Sequence, residues 1–227
     1  MIGLLGGVLF LDRTAVGNVM ISRPIVAGPA MGLLVGEPWA GLWVGALFEM
    51  LWIGAAPIGA FLPPDDTPAT GATVAAYSMA ARHGFAGPEV LSLAIVTGLP
   101  ACFVGRGLDT RLRRSNADIV HWVDRELEEG RVSSVERGQL HGVLGFFAMG
   151  AALAVIVTLL QFGALRWLYH LVEGSPAAIR GLAVFHGIVP ALGFAAAMAL
   201  GAPTRKVGWA GAALFLAFAT AGTLRLL

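Results

Sequence analysis

Residues 28–70 place the strongest constraint on how this chain can fold. One carboxylate, Glu49, lies within a long apolar run, and a glycine- and proline-rich stretch follows it and ends in Pro-Pro-Asp-Asp at 63–66. The bilayer core has no water to pair with the backbone of a broken helix, so protein or a water-filled cavity must surround the break. We therefore expect interrupted helices here. A carboxylate beside such a break is a candidate for binding a polar ligand.

The composition indicates an integral membrane protein. Of the 227 residues, 57% are hydrophobic and 13% are charged, and the mean hydropathy is +0.77, whereas soluble domains carry roughly 25% charged residues. The formal net charge of +1 gives no basic field, so we expect no nucleic-acid binding. The single cysteine, Cys102, lies in an apolar run, and no histidine spacing around it resembles a metal site. We expect neither a cofactor nor a bound metal.

The apolar segments predict an all-α integral membrane protein, a multi-span helical bundle with broken or re-entrant helices in its N-terminal half. Most early apolar runs are shorter than the ~20 residues that cross a bilayer; they are residues 1–11, 24–36, 39–52 and 67–81. Residues 90–104 approach a full span before Arg106 closes it, and the prolines of residues 57–64 cannot continue a regular helix. Three later runs are expected to cross the membrane: residues 141–165, 179–200 and 207–224.

Small residues in the first half predict close helix packing. Four glycines have a spacing that lets helix backbones approach one another: Gly32, Gly36, Gly41 and Gly45.

Residues 106–138 form the large water-facing segment. Between residues 106 and 137 the chain holds seven arginines and seven acids, and the pattern predicts a surface helix, a turn at Gly130 and a second helical start. The positive-inside rule counts basic residues and largely ignores acids, so this segment is expected in the cytoplasm, where it offers a docking surface to soluble partners. We expect one membrane domain over residues 1–227, with interrupted helices at 1–105 and intact spanning helices at 139–227.

Two stretches carry a recognisable family pattern. They are LDRTAVGNVMISRPIVAGPAMGLLVGE at 11–37 and GLWVGALFEMLWIGAAPIGAFLPPD at 41–65. The matching features are the Asp12 segment, Arg23-Pro24, the acid after Gly36, the GxxxE run from Gly45 to Glu49, Gly59-Ala60 and Pro64-Asp65. With these features the chain resembles the membrane IIC subunit of the mannose/fructose/sorbose class of the bacterial phosphotransferase system. Beyond residue 139 the resemblance rests on hydropathy.

The resemblance implies a permease subunit that binds and translocates a hexose-type sugar. It further implies a second membrane subunit, IID, the cytoplasmic proteins IIA and IIB, assembly into an oligomer, and a multi-pass location in the bacterial cytoplasmic (inner) membrane. Because the phosphoryl donor in this family is a histidine on IIB, the chain is not expected to be an enzyme on its own.

We predict four substrate-binding residues: Glu49, Asp65, Asp66 and Asp12. Glu49 either accepts hydrogen bonds from sugar hydroxyls or pins the broken helix by accepting exposed backbone N–H groups. Asp65 either joins the site or caps the next helix, and the cap is the favoured reading for Asp66. Asp12 also has a second reading, as an interface pair with Arg13.

Two other functions remain open from the sequence. The chain could be a non-transporting scaffold or regulatory member of the same phosphorelay, for which loss of the intramembrane acids would be the sign. It could instead be a cation-coupled small-solute transporter that uses Glu49 as its proton site. Arg13 is read as one half of the interface pair with Asp12, and Arg23, before Pro24, as a headgroup or cytoplasmic anchor rather than as a ligand.

The first prediction concerns topology. A cysteine introduced at Ser133 should resist an impermeant thiol reagent in intact cells and react after permeabilisation, because residues 106–138 are placed in the cytoplasm. Ready labelling of intact cells would invert the predicted orientation.

Overall fold

The computed structural model describes residues 1–54, 64–200 and 213, and the helices of this part confirm the predicted all-α fold. Its helices are α1 (Ile2–Thr14), α2 (Pro24–Val35), α3 (Pro38–Trp52), α4 (Asp66–Arg82), α5 (Pro88–Glu128), α6 (Ser134–Val172) and α7 (Pro176–Leu200). By length and composition α5, α6 and α7 can cross a membrane, and α2 is a shorter apolar helix. The predicted turn at 57–64 lies outside the described residues except for Pro64, and the run at 207–224 does so except for residue 213.

Helices α2 and α3 form a short antiparallel hairpin, as the interrupted sequence predicts. Pro24 and Pro38 each occupy the first turn of their helix, where the missing N–H costs nothing. Gly36 ends α2 in the left-handed conformation, with φ of +87°. With 12 and 15 residues, both helices are shorter than a full membrane crossing.

The two helices touch through glycine. A Cβ atom on Gly28 would collide with the carbonyl oxygen of Gly41, and one on Gly41 would collide with the carbonyl oxygen of Gly28. Gly32 and Gly45 extend the same close contact. The predicted packing is thus confirmed for three of the four glycines. A Cβ on Gly36 would have no neighbour within 4 Å among the described residues, and this glycine serves the turn instead.

Helix α4 lies in the centre of the bundle and is buried along most of its length. Its small residues allow α2, α5 and α6 to pack around it, and its hydroxyl groups are paired. The Gln161 side-chain amide donates to the Thr73 hydroxyl at 3.0 Å and to the Ala94 carbonyl at 2.8 Å. The Ser78 hydroxyl donates to the Val35 carbonyl at 3.0 Å, so polar groups within this core are satisfied by other helices.

Helix α5 differs from the prediction at its C-terminal end. The helix does not end where the apolar run ends at Arg106, because it continues to Glu128 over 41 residues, or about 60 Å. That length is about twice the hydrocarbon thickness of a bilayer, so α5 extends beyond the membrane. The predicted turn at Gly130 and helical restart are confirmed, with α6 beginning at Ser134.

A pair of glycine substitutions tests the packing of α2 on α3. Gly28→Ala should lower the free energy of unfolding by about 1 to 3 kcal/mol, because the added methyl group meets the Gly41 backbone. Gly163→Ala is the matched control, since a Cβ on this α6 glycine would have no neighbour within 4 Å in the described part of the chain. Melting of the detergent-purified variants measures both. Equal melting temperatures would contradict the close contact.

Candidate functional site

The four predicted site residues lie at one end of the helical bundle. Asp12 lies in the last turn of α1 and Glu49 near the end of α3, while Asp65 is the N-cap of α4 and Asp66 its first residue. The Thr67 hydroxyl donates to the Ser22 carbonyl at 2.8 Å, which joins the start of α4 to the loop before α2. Helix α1 runs antiparallel to α6, with Gly3 beside Val155 and Gly7 beside Phe147. The charged end of α1 therefore points toward the α5–α6 turn.

Arg13 is the centre of this cluster. Its Nη1 atom lies 2.5 Å from Asp66 Oδ1 and 3.1 Å from Thr67 Oγ1, while Nη2 donates to the Pro64 carbonyl at 3.3 Å. Nη1 is also 3.3 Å from Asp65 Oδ1, and the side chain is 23% exposed. The predicted pair of Arg13 with Asp12 is therefore wrong, because Arg13 pairs with Asp65 and Asp66 instead. This arginine ties the end of α1 to the start of α4.

Asp12 organises the loop between α1 and α2. Its Oδ1 atom accepts the Val19 amide at 2.7 Å, and Oδ2 accepts the Ser22 amide at 3.0 Å. The loop needs this support because Asn18 and Met20 have positive φ values. Asp12 is buried and accepts no hydrogen bond from Arg13, so the interface-pair reading is replaced by a backbone-binding role. A contact between Asp12 and substrate stays a prediction.

The contacts of Glu49 match the second of its two predicted roles, in which it holds the broken helix by accepting a backbone N–H group. One carboxylate oxygen pairs with Arg23, and the other accepts the Ile25 amide at 3.4 Å. The Ile25 N–H is one of the first donors of α2, which helix geometry leaves without an internal partner. Arg23 is half exposed and acts as the ion-pair partner of Glu49 rather than as an anchor only. A contact between Glu49 and sugar stays a prediction.

Asp65 and Asp66 differ from the caps that the sequence suggested. Neither side chain makes a cap hydrogen bond, since Asp66 pairs with Arg13 and the Thr67 amide lies near the Asp65 carboxylate without cap geometry. The Asp65 N–H donates to the Cys102 carbonyl at 2.8 Å, which fixes the segment against α5.

The Asp65 carboxylate forms an ion pair with Arg13 but makes no hydrogen bond within the described residues. The residue is 2% exposed, and among the described residues neither carboxylate oxygen accepts a hydrogen bond with good geometry. Buried polar atoms in native proteins nearly always have partners, so an orphaned carboxylate marks a place for a ligand or ordered water.

Asp109 also belongs to this cluster. From the sequence it was expected in the water-facing segment, residues 106–138. It is 6% exposed, its Oδ2 atom accepts from Arg113 at 2.9 Å, and its Oδ1 atom has no hydrogen-bond partner within the described part of the chain. Asp109 lies one helical turn after Gly105. A Cβ atom added to Gly105 would lie 2.9 Å from the Cβ atom of Asp65. Two features of the sequence could have pointed to Asp109: Arg113 follows it at the i,i+4 spacing of a helical ion pair, and Gly105 precedes it by four residues.

The arrangement supports hydrogen bonding and ion pairing. The indole N–H of Trp52 is also buried beside Cys102, without a described partner in hydrogen-bond geometry. Among residues 1–54 and 64–200, no group of three histidine, cysteine or acidic side chains has the geometry to hold a metal ion. The cluster therefore presents carboxylate acceptors and one indole donor to a polar ligand.

The fold and the buried charged cluster define a multi-span helical membrane protein with an interrupted N-terminal half. A family model described as the sorbose-specific IIC component of the phosphotransferase system, EII-Sor, matches residues 1–226. The chain belongs to this family, and the resemblance seen in residues 11–65 is confirmed.

Solved structures share the fold. One, described only as the structure of a membrane protein, has a TM-score of 0.67 at 19% identity and covers 99% of this chain and 91% of that chain. A cryo-EM structure of the mannose transporter ManYZ in complex with microcin E492 has a TM-score of 0.59 at 20% identity, with 97% and 84% covered. No curated protein matches the sequence significantly.

Removing the Arg13 side chain should destabilise the protein. Arg13→Gln leaves Asp65 and Asp66 without their cation, and loss of one partner of a buried ion pair costs about 3 to 5 kcal/mol. Because Arg13 is partly exposed, we expect the lower end of that range. Adding Asp66→Asn to Arg13→Gln should recover part of the loss.

The matched control is the exposed pair of His170 and Glu173 at the other end of the bundle. Glu173→Gln should change the free energy of unfolding by about 1 kcal/mol or less. Melting temperatures of the purified variants provide the comparison. If Arg13→Gln melts like Glu173→Gln, the ion pairs of Arg13 do not hold α1 to α4.

Proposed function

We propose that this chain is the sugar-permease subunit, IIC, of a mannose-class phosphotransferase system. In this proposal it binds a hexose-type sugar and presents it to the cytoplasm for phosphorylation by a IIB protein. The observation that carries the proposal is the buried Asp65 carboxylate, whose oxygens lack hydrogen-bond partners among the described residues. Membership of the IIC family supports it, as does the shared fold with a structure described as a mannose transporter.

The chemistry of the cluster suits a neutral sugar. A carboxylate accepts charge-assisted hydrogen bonds from hydroxyl groups. Asp65 and Asp109 together carry three oxygens without a described hydrogen-bond partner, of which Asp65 Oδ1 lies 3.3 Å from Arg13. Arg13 already forms an ion pair with Asp66, so the guanidinium group does not require a contact with the sugar. In the proposed site Asp65 is the primary acceptor and Asp109 lies beside it.

Glu49 has a conditional role in this site. In the described conformation its oxygens are taken by Arg23 and by the Ile25 amide. A sugar hydroxyl can reach Glu49 only if one of these partners leaves. The proposal therefore places Glu49 and Asp12 in support of the backbone around the sugar and gives the first contact to Asp65.

The remaining parts of the proposal concern location and partners. We place the chain in the bacterial inner membrane, in an oligomer with a IID membrane subunit, and supplied by the cytoplasmic proteins IIA and IIB. Membership of the IIC family, whose name makes the chain one component of a phosphotransferase system, supports a partnered assembly. The chain itself is proposed to transfer no phosphoryl group, and its one cysteine, Cys102, is buried.

Asp65→Asn tests the sugar site. The substitution keeps the shape and one acceptor oxygen but loses the charge, and a hydrogen bond to a charged group contributes about 1.5 to 3 kcal/mol. Affinity of the purified complex for its sugar should fall by roughly 10- to 150-fold. Binding is measured with mannose, fructose, sorbose and glucose, and Glu173→Gln serves as the remote control. Wild-type affinity in well-folded Asp65→Asn would remove Asp65 from the site.

Glu49→Gln separates the two readings of Glu49. If Glu49 pins α2, the variant should melt at a lower temperature and bind sugar with near-normal affinity, because the contacts to Arg23 and Ile25 are weakened. If Glu49 binds sugar, affinity should fall while melting is preserved.

Uptake into vesicles tests the function as a whole. Sugar that accumulates only as its phosphate, and only with IIA and IIB present, supports the proposal. Uptake of free sugar driven by a proton gradient would indicate a cation-coupled transporter. Sugar binding without any uptake would indicate a regulatory or scaffold protein.

A further inference from the structure

The α5–α6 hairpin extends beyond the membrane as two packed helices. We name residues 106–114 the basic collar and residues 115–141 the hairpin tip. The helices cross closely at Gly138, where a Cβ atom would lie 2.5 Å from the Val123 side chain. From Arg114 to Glu128 helix α5 rises about 21 Å. The tip therefore stands away from the apolar spans.

Charge is divided unevenly along this hairpin. The basic collar holds four arginines and one aspartate. The hairpin tip holds three arginines and six acids, which are Asp118, Asp124, Glu126, Glu128, Glu129 and Glu136. The cytoplasmic leaflet carries anionic lipids, which attract arginine and repel carboxylates. The collar suits the lipid headgroups, and the acidic tip cannot be covered by the same surface.

Two of the tip arginines are already engaged within the hairpin. Arg131 lies 2.6 Å from Glu126 and 2.5 Å from Glu129, and its hydrogen bond holds the pKa of Glu126 below the usual range. Arg137 donates to the Ser133 hydroxyl at 3.2 Å.

Four acids of the tip remain open to a partner. They are exposed, and no ion pair joins them to a residue in the described part of the chain: Asp118, Asp124, Glu128 and Glu136. The tip is therefore a surface of uncompensated negative charge at neutral pH.

Exposed apolar side chains lie among these acids. Val132 is 72% exposed, and Val135 and Leu127 are about half as exposed. An apolar centre with a charged rim is the usual anatomy of a protein–protein interface. The rim is acidic here, so the complementary face of a partner must be basic.

We propose that the hairpin tip docks a soluble protein through a basic face with an apolar centre. Within the relay proposed above, on which this inference rests, that protein is the phosphoryl donor IIB. The docking surface expected from the sequence was the whole segment 106–138, and the proposal assigns docking to the hairpin tip and not to the basic collar. The acids of the tip and Val132 bind the partner, and the arginines of the collar face the lipid.

Charge reversal at the tip tests the proposal. The triple variant Asp124→Lys, Glu128→Lys and Glu136→Lys should weaken binding of purified IIB to the detergent-purified complex at least 10-fold at low salt. It should also flatten the dependence of affinity on ionic strength. Val132→Ser should weaken binding several-fold at every salt concentration, because the lost contact is apolar. Glu173→Lys, at the other end of the bundle, is the control and should bind IIB like the wild type.

Sugar binding measured on the same samples separates this inference from the proposed function. Sugar affinity should be unchanged in the triple variant, since none of its positions lies in the Arg13 cluster. Wild-type IIB affinity in a triple variant that still binds sugar would overturn the docking surface alone. Absence of sugar binding in the wild type would overturn the proposed function, and IIB binding would then still decide the docking surface. Preferential binding of the tip to anionic vesicles would overturn the inference as well.

Discussion

The ion pairs of Arg13 are the interaction on which the interrupted half of this protein depends. They join the last turn of α1 to the first turn of α4, and Arg13 also donates to the Pro64 carbonyl just before that turn. Asp12, the neighbour of Arg13, binds the backbone of the following loop. Two adjacent charged residues thus hold two separate places, the loop after α1 and the start of α4, and backbone groups that lipid could not satisfy are paired there with side chains.

The positions of helices α2 and α3 were predictable from the sequence because proline and glycine fix the ends of these helices. Pro24, Gly36 and Pro38 place the ends of α2 and α3 within a residue or two of the observed positions. Helix α5 was harder, because arginine is an acceptable helix residue and does not end a helix that other contacts continue. A charge marks the membrane boundary in a sequence, but it does not mark the end of a helix.

The candidate site was predictable in its residue types and not in its pairings. Intramembrane acids stand out in an apolar sequence, so Glu49, Asp65 and Asp66 were visible. Which arginine meets which acid depends on how α1, α3 and α4 pack, and residues more than 50 positions apart give no local signal. Asp109 was missed for the same reason, since Gly105, one turn before it, meets Asp65 only after α5 passes beside α4.

The continuity of α5 has a mechanical consequence. One uninterrupted helix runs from beside the core, past Asp109, to the exposed end of the hairpin, and α6 returns alongside it. A stiff rod that tilts within the bilayer swings its outer end through a wider arc than its inner part. Any partner held at the far end therefore acts as a lever on the helix wall beside Asp65, and rearrangement of that wall is transmitted outward in the same way.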